Sequence, residues 1–179
     1  MPDEYLDVVS ENNELIGKKE LRSKIHLEGI WHRTVHVYLF RKKDNVIEFL
    51  VHLRSPLKDL NPNKWDTRFG GHIKSGLSLE EAVKAEVKEE IGLEVSQQKL
   101  YEGEWYKRDK FPNREFSKVY FLEFNDDVST LKFNDGEVQE VRWLRAEKIK
   151  DSLTKSPQDW STSLRGFVEV SDYLNKLQF

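Results

Sequence analysis

Three glutamates stand close together in the stretch AEVKEEIGL, residues 85–93. In a helix, the i, i+3, i+4 spacing of Glu86, Glu89 and Glu90 places them within one arc of about 100°. Like charges at this spacing repel, whereas Lys84 and Lys88 fall on the opposite side of the same helix. Carboxylates segregated in this way need a compensating cation. The spacing therefore predicts a metal site for a hard divalent ion, Mg²⁺ or Mn²⁺, which takes oxygen ligands.

A pair of glycines, Gly70 and Gly71, precedes this stretch. Because glycine has no Cβ, its backbone can approach a bound ion closely. We expect a backbone carbonyl of this loop, assigned to Gly70, to be a further metal ligand. Mg²⁺ usually shares its ligands with the phosphates of a substrate, so the pattern also indicates chemistry on a phosphorylated compound.

The helix that must carry the glutamates is predicted over residues 78–91. Ser78 and Glu81 form an S-x-x-E capping box, and Gly92 stands where a left-handed C-cap belongs. Strands are predicted where β-branched and aromatic residues cluster, and the two strands on either side of RKKDN are predicted to pair as a hairpin. The predicted strands are 5–10, 34–40, 46–54, 99–109, 115–124 and the start of 140–149; further helices are predicted at the end of 140–149 and over 158–177. This pattern predicts a mixed α/β domain.

The composition excludes several classes of protein. A chain of 179 residues fits one domain, 1–179. Its 29 basic and 32 acidic residues give a net charge of −3, which provides no general attraction to nucleic acid or to an anionic membrane. The absence of cysteine excludes disulfides and a catalytic thiol and fits a cytoplasmic protein. We see neither a signal peptide nor a membrane-spanning run, so we expect a cytoplasmic protein with no nucleic-acid or membrane partner.

Residues 71–93, GHIKSGLSLEEAVKAEVKEEIGL, resemble the Nudix box, G-x5-E-x7-R-E-U-x-E-E-x-G-U with U apolar. The residues that match at the right spacing are Gly71, Glu86, Val87, Glu89, Glu90, Gly92 and Leu93. The resemblance implies a Nudix fold, which is a mixed β-sheet sandwiched between helices. Residues 1–30 would then be an N-terminal extension, and the C-terminal helix would cover about 158–177. The resemblance also implies metal-assisted hydrolysis of a diphosphate.

Two positions depart from the box, since Leu77 replaces its glutamate and Ala85 replaces its arginine. In the pattern these residues support the loop and the helix and do not belong to the metal-binding triplet. Both are replaced here, as if a charged pair had been exchanged for an apolar one, which can be neutral in stability. We expect the metal site to be intact and the departures to affect rate and loop geometry.

The likeness extends over roughly residues 4–150 to the Nudix branch that includes type I isopentenyl-diphosphate isomerase. It rests on EYLDVVSENNELIG, HLEGIWHRTVHVYLF, VHLRSP, WDTRFGGHI and EVQEVRWL. The isomerases carry a catalytic cysteine before the box glycine, where this chain has Gly70. The resemblance therefore argues against isomerase activity.

Histidines in the same segments resemble a metal site of the isomerases. His32 and His72 match two of its positions, His26 is one residue away from a third, and Glu115 is near a metal glutamate. We predict that His32 and His72 lie at the substrate site. The resemblance allows a second metal ion there, and the alternative is that these histidines only pack or form hydrogen bonds.

The remaining site residues also follow from the resemblance. Arg54 and Lys58 match positions that bind the diphosphate, and Arg68 lies beside the same loop. Arginine suits bidentate contacts with phosphate, and lysine offers a point charge. We predict Glu89 or Glu137 as the catalytic base, because many Nudix hydrolases keep an extra carboxylate on the segment that contains Glu137.

The function predicted from the sequence is metal-dependent hydrolysis of a small-molecule diphosphate. The substrate would be a nucleoside diphosphate derivative or a small organic diphosphate, including an isoprenoid one. A non-catalytic Nudix module that binds a nucleotide or a partner protein is the alternative, supported by the two departures from the box. The three retained glutamates argue against that alternative. The sequence is compatible with a monomer and with a homodimer.

Overall fold

The fold is built on a mixed β-sheet with helices on both faces. This computed structural model describes residues 4–58, 60–95, 100–133, 136 and 138–177. The helices are α1 (Arg22–Glu28), α2 (Leu79–Ile91), α3 (Ala146–Lys155) and α4 (Leu164–Lys176). The strands are β1 (Tyr5–Val9), β2 (Leu15–Leu21), β3 (His32–Lys43), β4 (Val46–Arg54), β5 (Trp65–Asp66), β6 (Leu100–Lys110), β7 (Asn113–Glu123) and β8 (Val138–Arg145).

The central sheet has the strand order β5-β4-β3-β7-β6, and β8 also pairs with β4. Strands β3 and β7 are parallel, while the other neighbours in this sheet are antiparallel. Strands β1 and β2 form a separate hairpin. The predicted β3–β4 hairpin is confirmed, and its turn contains Asp44 and Asn45 with φ of 51° and 60°. Aspartate and asparagine tolerate this left-handed conformation better than most residues.

Different helices cover the two faces of the sheet. Side chains alternate along a strand, so Val35 and Val37 of β3 point to one face and Tyr38 and Phe40 to the other. The face that carries Val35 and Val37, called the α2 face, packs against four buried residues of α2, namely Ala82, Val83, Val87 and Ile91. The face that carries Tyr38 and Phe40, called the α4 face, packs against α3 and α4. Each large apolar side chain that is fully buried contributes about 1.5–3 kcal/mol. The predicted sandwich of a mixed sheet between helices is confirmed.

Helix α2 has the ends that the sequence predicts. The Ser78 hydroxyl accepts a hydrogen bond from the Glu81 amide at 3.3 Å, and the Glu81 carboxylate accepts one from the Ser78 amide at 2.8 Å. Gly92 ends the helix in the left-handed conformation, with φ of 67°, which glycine adopts without steric cost. These two caps fix where the helix begins and ends.

Two helical segments differ from the sequence prediction. The C-terminal helix begins at Leu164 rather than near residue 158, because the Ser163 hydroxyl caps it by accepting a hydrogen bond from the Gly166 amide. Residues 157–159 form a single 3₁₀ turn instead. Helix α1 was not predicted, and it ends at Gly29 with φ of 65°. Within the described residues, no helix is both long and apolar enough to cross a membrane.

Candidate active site

The Gly70–Gly71 loop lies directly against the glutamates of α2. The Gly70 amide donates a hydrogen bond to Glu90 Oε2 at 2.7 Å. A Cβ placed on Gly71 would stand 2.6 Å from Glu86 Oε2, so only glycine leaves room for that carboxylate. Gly70 has a φ of 124°, and a Cβ there would stand 2.2 Å from the Val35 carbonyl oxygen. Gly70 is therefore required by its contact with the β3 backbone, and Gly71 leaves space for the Glu86 carboxylate in its present position.

The Glu86 carboxylate lacks sufficient positive charge around it. Burial, followed by the neighbouring Glu89, raises its pKa to about 7 in spite of the lowering effect of Lys74 and Lys58. A carboxylate that is short of counter-charge, beside a second one, matches the oxygen ligands that Mg²⁺ and Mn²⁺ prefer. The residues at this place therefore fit a divalent cation.

The other members of the predicted metal set are placed differently. Glu89 is the most accessible, with 57% of its side chain exposed, and its two carboxylate oxygens lie 3.1 and 3.2 Å from Lys74 Nζ. Gly70 contacts Glu90 through its amide, whereas we predicted a role for its carbonyl. Glu137 lies outside the described residues. The nearby Glu140 is exposed and paired with Arg142 at 2.6 Å.

The predicted phosphate-binding cations gather beside this loop. Arg54 Nη1 and Arg68 Nε lie 3.6 and 3.5 Å from the same carboxylate, that of Asp66. Lys58 is near enough to Glu86 and His52 to lower the pKa of each. Arg54 and Arg68 thus meet at Asp66 of β5, while Lys58 is the member of the set that influences Glu86. Charged side chains in this arrangement can hold the phosphates of a ligand next to a metal ion.

Three histidines form a second cluster at the start of β3. The ring nitrogens that His26, His32 and His72 can offer lie within 4.8 Å of one another. His32 is fully buried; its Nδ1 lies 3.0 Å from the Ile30 carbonyl oxygen, and its Nε2 has no hydrogen-bond partner among the described residues. Glu115 comes within 4.0 Å of that Nε2. A buried ring nitrogen without a partner among other imidazoles and a carboxylate fits a transition-metal ion.

Burial keeps the imidazole rings of these three histidines neutral. Burial lowers the pKa of His26 and His32, and it lowers that of His72 to about 2. Neutral imidazole is the form that binds metal. The structure thus places the predicted residues His32 and His72 in one cluster with His26, which the sequence alone left one position out of register.

Removing one imidazole should weaken metal binding at this cluster. We expect His72→Asn to raise the dissociation constant for Zn²⁺ or Mn²⁺ by more than about 10-fold, because one nitrogen ligand is lost. Isothermal titration of chelator-treated protein measures the constant. The matched control is His36→Asn, on the same sheet face but outside the cluster. Equal metal affinity in wild type and His72→Asn would show that the histidines do not bind the ion.

Sequence reasoning missed two residues of the site, Asp66 and Lys74. Asp66 is only 2% exposed and joins two arginines, while Lys74 supplies the positive charge beside Glu89. A buried carboxylate carries no local signature, because its environment depends on strands that are distant in sequence. Lys74 lies within the box, and its charge could have been noted as a partner for the glutamates.

The fold, the Gly70–Gly71 loop and the glutamates of α2 are those of a known family. A family model of the NUDIX domain matches residues 30–165, which include α2, the glycine pair and the central strands. The chain therefore belongs to the Nudix family.

Individual relatives agree with that assignment. An uncharacterized Nudix hydrolase of Clostridium acetobutylicum is 33% identical over 142 residues, which are 77% of this chain and 68% of that protein. An isopentenyl-diphosphate Δ-isomerase of Aliivibrio fischeri is 27% identical over 162 residues, 88% of this chain and 89% of the isomerase. A crystal structure of a Deinococcus radiodurans protein superposes with a TM-score of 0.68 at 27% identity, covering 86% and 90% of the two chains. The chain is an enzyme of the Nudix hydrolase type, a family that acts on pyrophosphate bonds.

Proposed function

We propose that the protein hydrolyses a diphosphate linkage with Mg²⁺ or Mn²⁺ as its cofactor. The substrate is a nucleoside diphosphate derivative or a small organic diphosphate, including an isoprenoid one. The observation that carries the proposal is the pair of carboxylates, Glu86 and Glu90, held against the Gly70–Gly71 backbone. The raised pKa of Glu86 supports it, because a bound cation would offset the cost of burying that charge.

Each group has a separate role in the proposed reaction. The divalent ion, when bound, neutralises phosphate charge and lowers the pKa of a water molecule. Glu86 and Glu90 hold the ion. Glu89, the exposed member of the set, accepts the proton of the attacking water, with Glu137 as the alternative base. Arg68 and Lys58 offset negative charge on the leaving phosphate.

Hydrolysis is favoured over isomerisation because the chain contains no thiol. The position of the isomerase cysteine is Gly70, where a Cβ would stand 2.2 Å from the Val35 carbonyl oxygen. A side chain at this position would therefore require the β3 backbone to move. The non-catalytic alternative has less support, since a module that only binds a partner has no need of three glutamates.

We expect the protein to release phosphate products from at least one diphosphate and to leave isopentenyl diphosphate unisomerised. The measurement is a panel of nucleoside diphosphate sugars, dinucleotides and prenyl diphosphates, each assayed with Mg²⁺, with Mn²⁺ and with chelator. Product analysis by chromatography separates hydrolysis from formation of dimethylallyl diphosphate. Accumulation of dimethylallyl diphosphate at a useful rate would overturn the hydrolase proposal. Activity that persists in chelator would overturn the metal requirement.

We also propose that residues 1–179 form one domain and that the protein works in the cytoplasm. The first part is supported by the central sheet, whose two faces carry both core clusters. The N-terminal hairpin is joined to this unit, since Leu6 of β1 bridges to Lys74 and both Leu6 and Val8 are buried. The second part is supported by the absence of cysteine.

A further inference from the structure

Asp66 is a buried carboxylate at the end of β5, and its hydrogen bonds fix its orientation. It is 2% exposed. Its Oδ1 accepts hydrogen bonds from the amides of Thr67 at 2.8 Å and Arg68 at 3.2 Å. Across the β4–β5 pairing it stands opposite His52. The carboxylate is therefore held by its own turn before any side chain reaches it.

Two guanidinium groups from different segments share this carboxylate. Arg54 Nη1 lies 3.6 Å from Oδ2 and Arg68 Nε lies 3.5 Å from Oδ1. Arg54 uses further nitrogens within the protein, donating to the carbonyl oxygens of Leu60 at 3.0 Å and Asn61 at 3.3 Å. Arg54 is thereby committed to supporting the loop after β4. The Arg68 side chain remains 29% exposed, so Arg68 is the better placed of the two to contact a ligand.

The charge of Asp66 persists despite its burial. Burial alone would raise its pKa, but the nearby Arg68, His52 and Arg54 lower that pKa below its ordinary value. The carboxylate is therefore ionised at neutral pH. Because a buried ion pair is often no more stabilising than an apolar replacement, its main consequence here is the fixed position of the guanidinium.

Arg68 lies close in sequence to the Gly70–Gly71 loop, which contacts the glutamates of α2. Only one residue separates it from Gly70, whose amide binds Glu90, so the Cα atoms of residues 68 and 70 are at most about 7 Å apart. The guanidinium also interacts with the Tyr38 hydroxyl and with Glu115. The backbone of Arg68 thus leads directly into the Gly70–Gly71 loop, and we expect its exposed part to reach a diphosphate that is held there.

We propose that Asp66 is a positioning residue, which holds Arg68 in the orientation that binds the diphosphate of the substrate. Asp66 itself touches no substrate, since it is buried behind the two arginines. The proposal rests on the diphosphate-binding function proposed above, and it adds a specific dependence of Arg68 on a residue that binds nothing.

The test is a double-mutant cycle of Asp66→Asn and Arg68→Gln with methylenediphosphonate, a diphosphate analogue that cannot be hydrolysed, as the probe in excess Mg²⁺. We expect Asp66→Asn to raise the dissociation constant about 10-fold, because Arg68 loses its anchor and part of a charge-assisted contact. The double variant should bind no more weakly than Arg68→Gln alone, because Asp66 acts only through Arg68. With the best substrate of the panel, KM should rise by the same factor, and kcat should fall as well, because Arg68 also offsets charge on the leaving phosphate.

A matched control removes an arginine elsewhere. Arg165→Gln breaks the exposed pair with Glu169, in which the arginine side chain is 90% exposed, and it should leave the dissociation constant unchanged. Tyr38→Phe provides a second variant that removes the other anchor of Arg68, in case Asp66→Asn fails to fold; it should raise the constant in the same direction. Additive losses in the cycle, or unchanged binding in both anchor variants, would overturn the proposal. The protein could show the expected non-additive binding of methylenediphosphonate and yet hydrolyse no compound of the panel. That result would support the positioning role of Asp66 and overturn only the proposed hydrolase function.

Discussion

In metal-free protein, Glu86→Gln should raise the free energy of unfolding by about 2–3 kcal/mol near pH 8.5 and by almost nothing near pH 4. Burial, followed by Glu89, raises the pKa of the Glu86 carboxyl from 4.5 to about 7. Because the folded state holds this proton more tightly than the unfolded chain, the stabilisation is complete below about pH 4.5 and is lost as the pH rises through 7. Glutamine cannot ionise and escapes that loss. Urea denaturation across this pH range measures the difference.

With a metal ion present, removal of these carboxylates should instead make the protein less stable than the wild type. Mg²⁺ or Mn²⁺ should stabilise the wild type by mass action, and the double variant Glu86→Gln/Glu90→Gln should lose that stabilisation. Turnover should fall about 100-fold or more, since the ion would lose carboxylate ligands. The matched control is Glu80→Gln on the same helix, where the glutamate is exposed and paired with Lys84. An unchanged metal response in the double variant would refute the assignment of the glutamates.

Gly70→Ala should destabilise the protein by more than about 3 kcal/mol. The new Cβ would stand 2.2 Å from the carbonyl oxygen of Val35, a fully buried residue in the centre of the sheet. The φ of 124° is also strained for any residue with a side chain. Either the β3 backbone or the loop must move, and movement of the loop would break the hydrogen bond from the Gly70 amide to Glu90.

The control for this prediction is Gly76→Ala. Gly76 also has a positive φ, 85°, but a Cβ there meets no atom of the described residues within 4 Å, so the cost should be about 1 kcal/mol. Comparing the two variants by urea denaturation separates the steric term from the backbone term. Equal losses would show that the contact with Val35 is unimportant. Gly70→Cys should suffer the same loss as Gly70→Ala, so restoring the thiol alone should not produce an isomerase.

The sequence predicted the local elements well because their signals are local. The ends of α2 were predicted from Ser78, Glu81 and Gly92, whose capping preferences depend only on neighbouring backbone groups. The bounds of β4 match the predicted strand 46–54 because its apolar run lies between a turn and a proline-containing loop. Helix α1 was missed because it has only seven residues and one buried side chain, Ile25, too few for a periodic pattern.

The site could be predicted only where one segment carries it. The three glutamates share one helix, and the predicted ion site rests on their spacing alone. The roles of Asp66 and His26 depend on contacts with Arg54 and His72, which belong to other elements. The register of these contacts is set by the tertiary fold, so no spacing within the sequence could indicate it. Family resemblance partly replaced that information for the histidines, and it gave none for Asp66.

The parallel pairing of β3 with β7 has a consequence for how the chain folds during its synthesis on the ribosome. His32 of β3 is in register with Glu115 of β7, so β4, β5, α2 and β6 all lie within the loop that this pairing closes. Closing a loop of that length costs entropy before any contact compensates for it. A nascent chain can form the β3–β4 hairpin and helix α2 early, but Glu115 cannot join His32 until β7 has left the exit tunnel. The histidine cluster and Glu115 therefore come together only when translation has passed β7.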